Sequence, residues 1–378
     1  MRRFLVGLTA LACVLLLTAP SAFALQHVHG MQTPPPPGPS PTPTPTPPPP
    51  PPPPKAWILV DSDTGAVLDQ GNAHQPLPPA SVTKVLTALI AVEQLQPDDD
   101  IPISAEAQGM PARTMNMKAG QVWKFQDVLH ALLMVSANDA AVALAEKISG
   151  SRQEFANVMA QTAQRIGMDD SPVLQDPAGL DDQFSNDGGN LLSAHDLAIA
   201  ARNAIANDEI RAVASTQEYK FHGGDNNDHR LFNEDLLLKT YPGAIGLKTG
   251  WTRKAGHSFI GVATRNGRTM ISVVLGAPDP YGTSKALLDK GFTTPLSAES
   301  GLERLPAVVP AATIPQPARA VPLQETRTPA QPELQVANTD DAVRVARDGI
   351  WIAVVSLPLA FLALRLITGR RRRRYLFR

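Results

Sequence analysis

Two proline-rich segments limit the part of this chain that can form a globular core. Residues 33–54 are almost wholly proline with some threonine, serine and glycine, a composition that favours extended polyproline II. Residues 298 to about 340 are again rich in proline and alanine. The 37 prolines among 378 residues are too many for one ordinary domain. We therefore predict linkers at 25–54 and 298–348, and a folded catalytic domain at 55–297.

The N-terminal residues have the pattern of a secretory signal peptide. Arg2 and Arg3 precede an apolar run over residues 4–17, and residues 22–24 read Ala-Phe-Ala, a small-x-small cleavage site. We predict that residues 1–24 are removed on export. Cys13 is the only cysteine of the chain and lies in this segment, so the mature protein would have no disulfide.

The C-terminal residues have the pattern of a membrane span. Residues 349–368 are largely apolar and approach the length of about 20 residues that a transmembrane helix needs. Five arginines at 370–374 follow in a basic tail over 369–378, which the positive-inside rule places in the cytoplasm. We expect a single-pass protein of the cell membrane with its catalytic domain outside the cytoplasm. The formal net charge of -1 gives no support for a nucleic-acid partner.

The domain at 55–297 mixes strand and helix patterns, which predicts an α/β fold of the α+β kind. Strands are predicted at 56–60, 66–68, 257–264 and 269–275, the last two joined by an Asn-Gly turn. Helices are predicted from residue 81 and at 125–133, 140–148, 154–166, 193–205 and 282–291. Residues 98–124 are predicted to be irregular, 169–190 to form a long loop, and 221–230 to form an exposed loop.

Ser81-Val82-Thr83-Lys84 is the first of three short motifs that could carry chemistry. Prolines precede it and apolar residues at helical spacing follow, so Ser81 lies at the start of a helix and Lys84 one turn later. Side chains three residues apart share a helix face. A serine becomes a nucleophile beside a base, and a lysine acts as that base when burial or positive charge lowers its pKa. Taken alone, the motif is better explained as a helix cap followed by a surface lysine.

The two other motifs are Ser136-Ala137-Asn138 and Lys248-Thr249-Gly250. The first interrupts two helical patterns and is predicted to lie on a turn between helices, where Ser136 and Asn138 either face a cleft or simply cap a helix. The second opens a run of antiparallel strands. There a glycine lets a substrate backbone come close, and the lysine can attract a carboxylate. An exposed edge strand protected by a lysine would give the same pattern.

Together these motifs resemble those of low-molecular-mass penicillin-binding proteins, specifically serine D-alanyl-D-alanine carboxypeptidases. The resemblance covers residues 55 to 294 and includes the surroundings of the motifs at 132–141, 246–252 and 255–256 and a loop at 176–180. It implies the fold of serine β-lactamases and DD-peptidases, in which an antiparallel sheet flanked by helices adjoins a helical subdomain. The chain departs from the family pattern at Ile245, where many relatives have Asp, and at Asp176, where Asn is common.

The resemblance also implies a role for each motif residue. Ser81 would attack the penultimate D-alanine carbonyl of a peptidoglycan stem peptide, Lys84 would be its base, and Ser136 would relay a proton. The backbone N–H groups of Ser81 and Trp251 would form the oxyanion hole. The residues implied in substrate binding are Asn138, Lys248, Thr249, Gly250 and Trp251. β-Lactam antibiotics would act as inhibitors, and the reaction needs neither a metal nor another cofactor.

Two other functions remain open from the residues. A class A β-lactamase uses a glutamate that activates the deacylating water, followed four residues later by an asparagine. No such pair lies between Ser136 and Lys248, since Glu154 and Asn157 are three residues apart on a predicted helix. A non-catalytic protein that only binds peptidoglycan should have lost Ser81 or Lys84, and both are present.

Overall fold

The computed structural model of the chain describes residues 52–111, 113–185 and 188–310. The predicted signal peptide, most of the first linker, the C-terminal apolar stretch and the basic tail lie outside these ranges. Within them, no helix has both the length and the apolar character needed to cross a membrane.

The described residues form nine strands and nine α-helices. The strands are β1 Ala56–Asp61, β2 Val67–Gly71, β3 Asp100–Pro102, β4 Val122–Lys124, β5 Glu218–His222, β6 Asp228–Phe232, β7 Ala244–Thr252, β8 Gly256–Arg265 and β9 Arg268–Leu275. The helices are α1 Lys84–Gln94, α2 Ala105–Gln108, α3 Phe125–Met134, α4 Asn138–Ser149, α5 Arg152–Ile166, α6 Ala194–Ala206, α7 Asp208–Ser215, α8 Leu237–Thr240 and α9 Pro280–Thr293. Short 3₁₀ turns occupy Ala80–Thr83 and Leu296–Glu299.

The main sheet is antiparallel, with five strands in the order β2-β1-β9-β8-β7. Strand residues alternate between its faces. Ile58 and Val60 of β1 belong to the core shared with the helical part, whereas Leu59 packs with α9 on the opposite face. The sheet is therefore covered by helices on both sides, which confirms the predicted fold class.

Helix α1 lies at the centre of the helical part. Its residues 84–91 are all buried, and it packs against α3, α4, α5 and α6. Such a helix has no face left for solvent. The lysine at its N-terminus is therefore forced into the interior, which positions the first motif.

Two segments differ from the prediction. Residues 98–124 contain the β3–β4 ladder and helix α2, where an irregular segment is predicted. Residues 218–232 form the β5–β6 hairpin, so the exposed loop predicted at 221–230 is wrong except for its turn. Polar residues dominate the hairpin, but Tyr219, Phe221 and Leu231 alternate towards the core in the way that strands require.

The chain after the 3₁₀ turn Leu296–Glu299 packs against the domain, although residues 298–348 are predicted to be a linker. Val67 N donates to Glu303 O and Leu305 N donates to Gly65 O. Leu305 is 4% exposed. Packing against the sheet thus continues past residue 297, because these backbone groups extend the pairing at the β1–β2 turn.

Candidate active site

Ser81 and Lys84 meet where the chain turns into α1. Ser81 lies on the 3₁₀ turn Ala80–Thr83, and Lys84 is the first residue of the helix. Ala80 has a φ of 55°, a conformation that costs energy for a residue with a Cβ. The turn brings Ser81 Oγ within 2.9 Å of Lys84 Nζ. The hydroxyl and amine therefore make the contact that their spacing predicts.

The Lys84 amine contacts three oxygens in a fully buried position. Nζ lies 2.9 Å from Ser81 Oγ, 2.8 Å from Asn138 Oδ1 and 2.7 Å from the carbonyl oxygen of Ala178. The amide and backbone carbonyls only accept hydrogen bonds, whereas the hydroxyl can also donate. A neutral amine can therefore keep donating to Asn138 and Ala178 while its lone pair accepts the Ser81 O–H. This arrangement directs the lone pair at the hydroxyl that has to lose its proton.

Burial lowers the pKa of Lys84 well below its ordinary value of 10.5, and the positive charges of Lys248 and Arg113 lower it further. The carboxylates of Asp176 and Asp139 act in the opposite direction without cancelling this effect. A lowered pKa increases the neutral fraction of the amine near pH 7. The shift thus favours the neutral form, which is the form that acts as a general base.

The second motif lies on the turn between α3 and α4 and faces the first. Ser136 has a φ of 61° and is 4% exposed, and Asn138 begins α4. Asn138 Nδ2 donates to the Pro111 carbonyl at 3.0 Å, and Asn138 N donates to Arg113 O at 2.8 Å. Both ends of the Asn138 amide are thus held, one by Lys84 and the other by the segment before α3.

The third motif lies on β7, the edge strand beside the Ser81 turn. A Cβ on Gly250 would lie 3.0 Å from Ser81 N and 3.1 Å from Val82 N. Any side chain here would push the strand away from the turn. The glycine thus allows the backbone of β7 and the nucleophilic serine to form two sides of one site.

Lys248 is buried beneath the surface of this strand. Burial lowers its pKa to about 7, the charge of Arg113 lowers it as well, and Asp235 has the opposite effect. Its Nζ donates to Thr249 O at 3.1 Å. Burial also raises the pKa of Asp235 to about 6. Lys248 is therefore a poorly solvated amine whose pKa lies close to neutral pH.

A cleft of about 960 Å³ opens over these residues. Its walls include six predicted site residues, which are Ser81, Ser136, Asn138, Thr249, Gly250 and Trp251. Lys84 and Lys248 lie beneath the walls. The Trp251 side chain is 59% exposed at the rim. Among the described residues, the groups of His, Asp and Glu that are close enough to hold a metal ion lie elsewhere, around His195.

Several cleft residues have no signal in the sequence. Arg113 and Glu234 line the cleft and form an ion pair, and Leu180 and Tyr281 contribute apolar surface. Leu180 ends the loop at 176–180, which the family resemblance includes. The other three lie in loops and at a helix start, far apart along the chain, so no local pattern links them to the motifs. Arg253, which follows the third motif, also lines the cleft.

The loop at 176–180 provides the Ala178 carbonyl that contacts the Lys84 amine. Asp176 Oδ1 accepts hydrogen bonds from Ala178 N at 2.9 Å and Leu180 N at 3.0 Å. Its other oxygen pairs with Arg152 at 2.6 Å. These contacts fix the Ala178 carbonyl, which is one of the three partners of Lys84.

Comparison with known proteins places this geometry in a family. The family model for D-alanyl-D-alanine carboxypeptidase matches residues 46–279. The D-alanyl-D-alanine carboxypeptidase DacB2 of Mycobacterium tuberculosis is 33% identical over 256 residues, which cover 65% of this chain and 85% of that protein.

Solved structures give the same result. The crystal structure of a D-alanyl-D-alanine carboxypeptidase from Mycobacterium tuberculosis matches with a TM-score of 0.61 and 32% identity, over 65% of this chain and 94% of the other. Penicillin-binding protein D2 of Listeria monocytogenes, solved in an ampicillin-bound form, matches with a TM-score of 0.56 and 26% identity, over 64% of this chain and 98% of the other.

Proposed function

Because the chain belongs to the D-alanyl-D-alanine carboxypeptidase family of serine peptidases, we propose that it removes the terminal D-alanine from peptidoglycan stem peptides through an acyl-enzyme on Ser81. The observation that carries this proposal is the buried Lys84 amine, whose lone pair can accept only the Ser81 proton. A protein that merely bound peptidoglycan would not need such a base.

In the proposed acylation, Ser81 Oγ attacks the penultimate D-alanine carbonyl while its proton moves to Lys84 Nζ. The oxyanion would be held by the N–H groups of Ser81 and Trp251 at the junction of the 3₁₀ turn and β7. The proton then passes to the departing amine, with Ser136 as the relay. Free D-alanine leaves, and an ester of Ser81 remains.

Deacylation runs the same proton path in reverse. The departure of D-alanine opens space in the cleft, where water attacks the ester and gives its proton to Lys84. The bond between the acyl carbon and Ser81 Oγ then breaks, Lys84 returns the proton to Oγ, and the shortened peptide leaves with a new carboxylate. Thr249 and Lys248 would hold the terminal carboxylate of the substrate during acylation. Gly250, which has no side chain, would leave room for the backbone of the substrate peptide. Asn138 would hold the substrate amide, which requires it to exchange its hydrogen bond with Pro111 O.

Two carboxylates among the described residues are placed unfavourably for a β-lactamase. Asn157 Nδ2 donates to Glu154 Oε2 at 3.2 Å on the exposed side of α5, so this pair faces solvent and not the cleft. Asp176 is fully buried and paired with Arg152, so its carboxylate is not available to activate a water near Ser81.

Release of D-alanine from diacetyl-Lys-D-Ala-D-Ala by the purified protein tests the proposal. Ser81→Ala should abolish both this release and labelling by a fluorescent penicillin. Lys84→Ala should slow acylation about 10²–10⁴-fold, the usual contribution of a general base. Ser215→Ala, an exposed serine at the end of α7, is the matched control and should retain both activities. Labelling of the Ser81→Ala protein at the parental rate would exclude Ser81 as the nucleophile.

We also propose that the catalytic domain is exported and held at the outer face of the cell membrane. The support is the sequence pattern of the signal segment at 1–24, the apolar stretch at 349–368 and the basic tail at 369–378. Truncation after residue 340 should then release an active enzyme from the membrane fraction. A truncated protein that still sediments with membranes would contradict the C-terminal anchor.

A further inference from the structure

Two histidines and two carboxylates meet away from the catalytic cleft. His74 follows β2, Asp170 follows α5, His195 lies in the first turn of α6, and Glu303 lies in the C-terminal segment. The rings of His74 and His195 have their centroids 4.5 Å apart. We call these four residues the histidine cluster. None of them lines the cleft, so the cluster has no part in the proposed peptidase chemistry.

The imidazoles and Glu303 converge like ligands of one ion. Glu303 Oε1 lies 3.7 Å from His74 Nε2 and 3.5 Å from His195 Nε2. One ligand atom from each of the three residues lies within 4.8 Å of the others. Two ligands bound to tetrahedral zinc at about 2.0–2.1 Å are separated by about 3.3 Å. Small side-chain movements would therefore complete the coordination.

Asp170 lies behind both rings. Its carboxylate contacts His74 Nδ1 at 2.9 Å and lies 3.6 Å from His195 Nδ1. Ser193 Oγ donates to the same carboxylate at 2.5 Å and fixes it. A carboxylate that accepts the Nδ1–H of a histidine leaves Nε2 free to bind a metal, and most metal-binding histidines have such a partner.

His195 supplies independent support. The residue is only 6% exposed, and among the described groups its Nδ1 has no hydrogen-bond partner. The ring is buried because α6 is buried along nearly its whole length. A buried imidazole without a partner is costly. A metal bound to Nε2 would offset part of the free-energy cost of burying this ring. It would also favour a hydrogen bond from Nδ1–H to Asp170.

We propose that the histidine cluster binds a divalent transition metal of the zinc type through His74 Nε2, His195 Nε2 and Glu303 Oε1, with water as the fourth ligand. The half-exposed side chain of His74 leaves this position open to solvent. The ion would fasten the C-terminal segment to α6 and to the segment that leads from β2 to Ser81. Imidazole and carboxylate ligands together suit zinc, cobalt and nickel.

A second grouping shares His195, and the test has to separate the two. One ligand atom each from Asp169, His195 and Asp196 also lies within 4.8 Å of the others. This grouping has a single imidazole and includes Asp169, whose side chain is 80% exposed. It has no counterpart to His74, the ring whose Nδ1 contacts the Asp170 carboxylate at 2.9 Å in the histidine cluster.

The experiment measures Zn²⁺ affinity against a chelating dye, and the visible spectrum with Co²⁺, on the untagged full-length chain. All proteins carry His27→Ala and His29→Ala, because this His-Val-His sequence near the N-terminus could itself bind metal. His74→Ala and Glu303→Gln remove ligands that are not buried. His222→Ala is the matched control, since His222 also pairs with a carboxylate at 2.9 Å but belongs to neither of the possible metal-binding groups found among the described residues.

We expect the parent and the His222→Ala protein to bind one equivalent of Zn²⁺ and to show a tetrahedral Co²⁺ spectrum. His74→Ala and Glu303→Gln should each weaken binding by at least about 100-fold, and Asp170→Asn by about 10–100-fold. Circular dichroism melts in chelator show that each variant folds. Equal affinity in the His74→Ala protein, loss of binding only with Asp169→Asn, or no binding by the parent would each overturn the proposal.

Discussion

The buried ion pair between Arg152 and Asp176 stabilises the loop that holds Lys84. The two side chains are 7% and 0% exposed, and their charged atoms are 2.6 Å apart. Arg152→Met removes the guanidinium and leaves the carboxylate buried without a counter-charge. Breaking a buried pair in this way costs about 3–5 kcal/mol. We therefore expect the free energy of unfolding to fall by about that amount.

The double variant Arg152→Met/Asp176→Asn should recover most of this loss. The asparagine keeps an oxygen that accepts from the N–H groups of Ala178 and Leu180. Neither charge of the Arg152–Asp176 pair remains in the interior. What is still missing is the hydrogen bond from Arg152 to the Phe184 carbonyl at 2.8 Å and the pair with the half-exposed Glu106. These contacts contribute about 1 kcal/mol or less each. The double variant should thus lose about 1–2 kcal/mol, less than the single variant.

Urea unfolding followed by tryptophan fluorescence measures these differences, and penicillin acylation below the transition measures the site. Acylation should be slower in Arg152→Met, because the Ala178 carbonyl is less firmly held, and should recover in the double variant. Arg165→Met is the control on the same helix, since it breaks the pair with Glu93 at 2.5 Å without touching the loop. A loss below about 1 kcal/mol in Arg152→Met, or a double variant no more stable than the single one, would refute this reasoning.

Three further predictions concern the cleft. The rate of Ser81 acylation by penicillin should rise with pH, because only neutral Lys84 accepts the proton. Since the pKa of Lys84 is lowered, the rate should level off well below pH 10.5. Stopped-flow rates that still increase at pH 10.5 would contradict this prediction. Gly250→Ala should cost about 1–3 kcal/mol of overpacking against Ser81 N and reduce acylation strongly, whereas Gly109→Ala, outside the cleft, should not change it. Intact mass spectrometry should show a long-lived penicilloyl adduct while D-alanine release from peptide continues; rapid loss of the adduct without D-alanine release would favour a β-lactamase.

The parts of the structure that follow local rules could be predicted from the sequence. The Ser81–Lys84 contact follows from helix geometry, and the β8–β9 hairpin follows from Asn266 and Gly267, whose positive φ values of 53° and 75° match the Asn-Gly turn. The placement of the second and third motifs beside the first came from the family resemblance. Spacing along the chain gives no measure of their distance in space.

The remaining features depend on contacts between distant segments. Arg152 and Asp176 are 24 residues apart, and neither has a neighbour in sequence that indicates the pair. Arg113 lowers the pKa of both buried lysines, yet it lies in a segment with no regular pattern. The burial of His195 depends on how α6 packs, which a polar residue in the first turn of a helix does not reveal. In each case the tertiary fold, and not the local sequence, decides the environment of the charge.

The cations that lower the pKa of Lys84 also surround the place where the substrate carboxylate is proposed to bind. Burial lowers the pKa of Lys84, and the charges of Lys248 and Arg113 lower it further. A bound carboxylate adds negative charge, which raises the pKa of Lys84 and makes it a stronger base at the moment of attack. A stem peptide that ends in a carboxamide should therefore lose kcat as well as affinity, and Lys248→Gln should reduce the difference between the two peptides. Steady-state kinetics with the matched acid and amide peptides decide the matter: a higher KM with an unchanged kcat would mean that the carboxylate contributes binding alone.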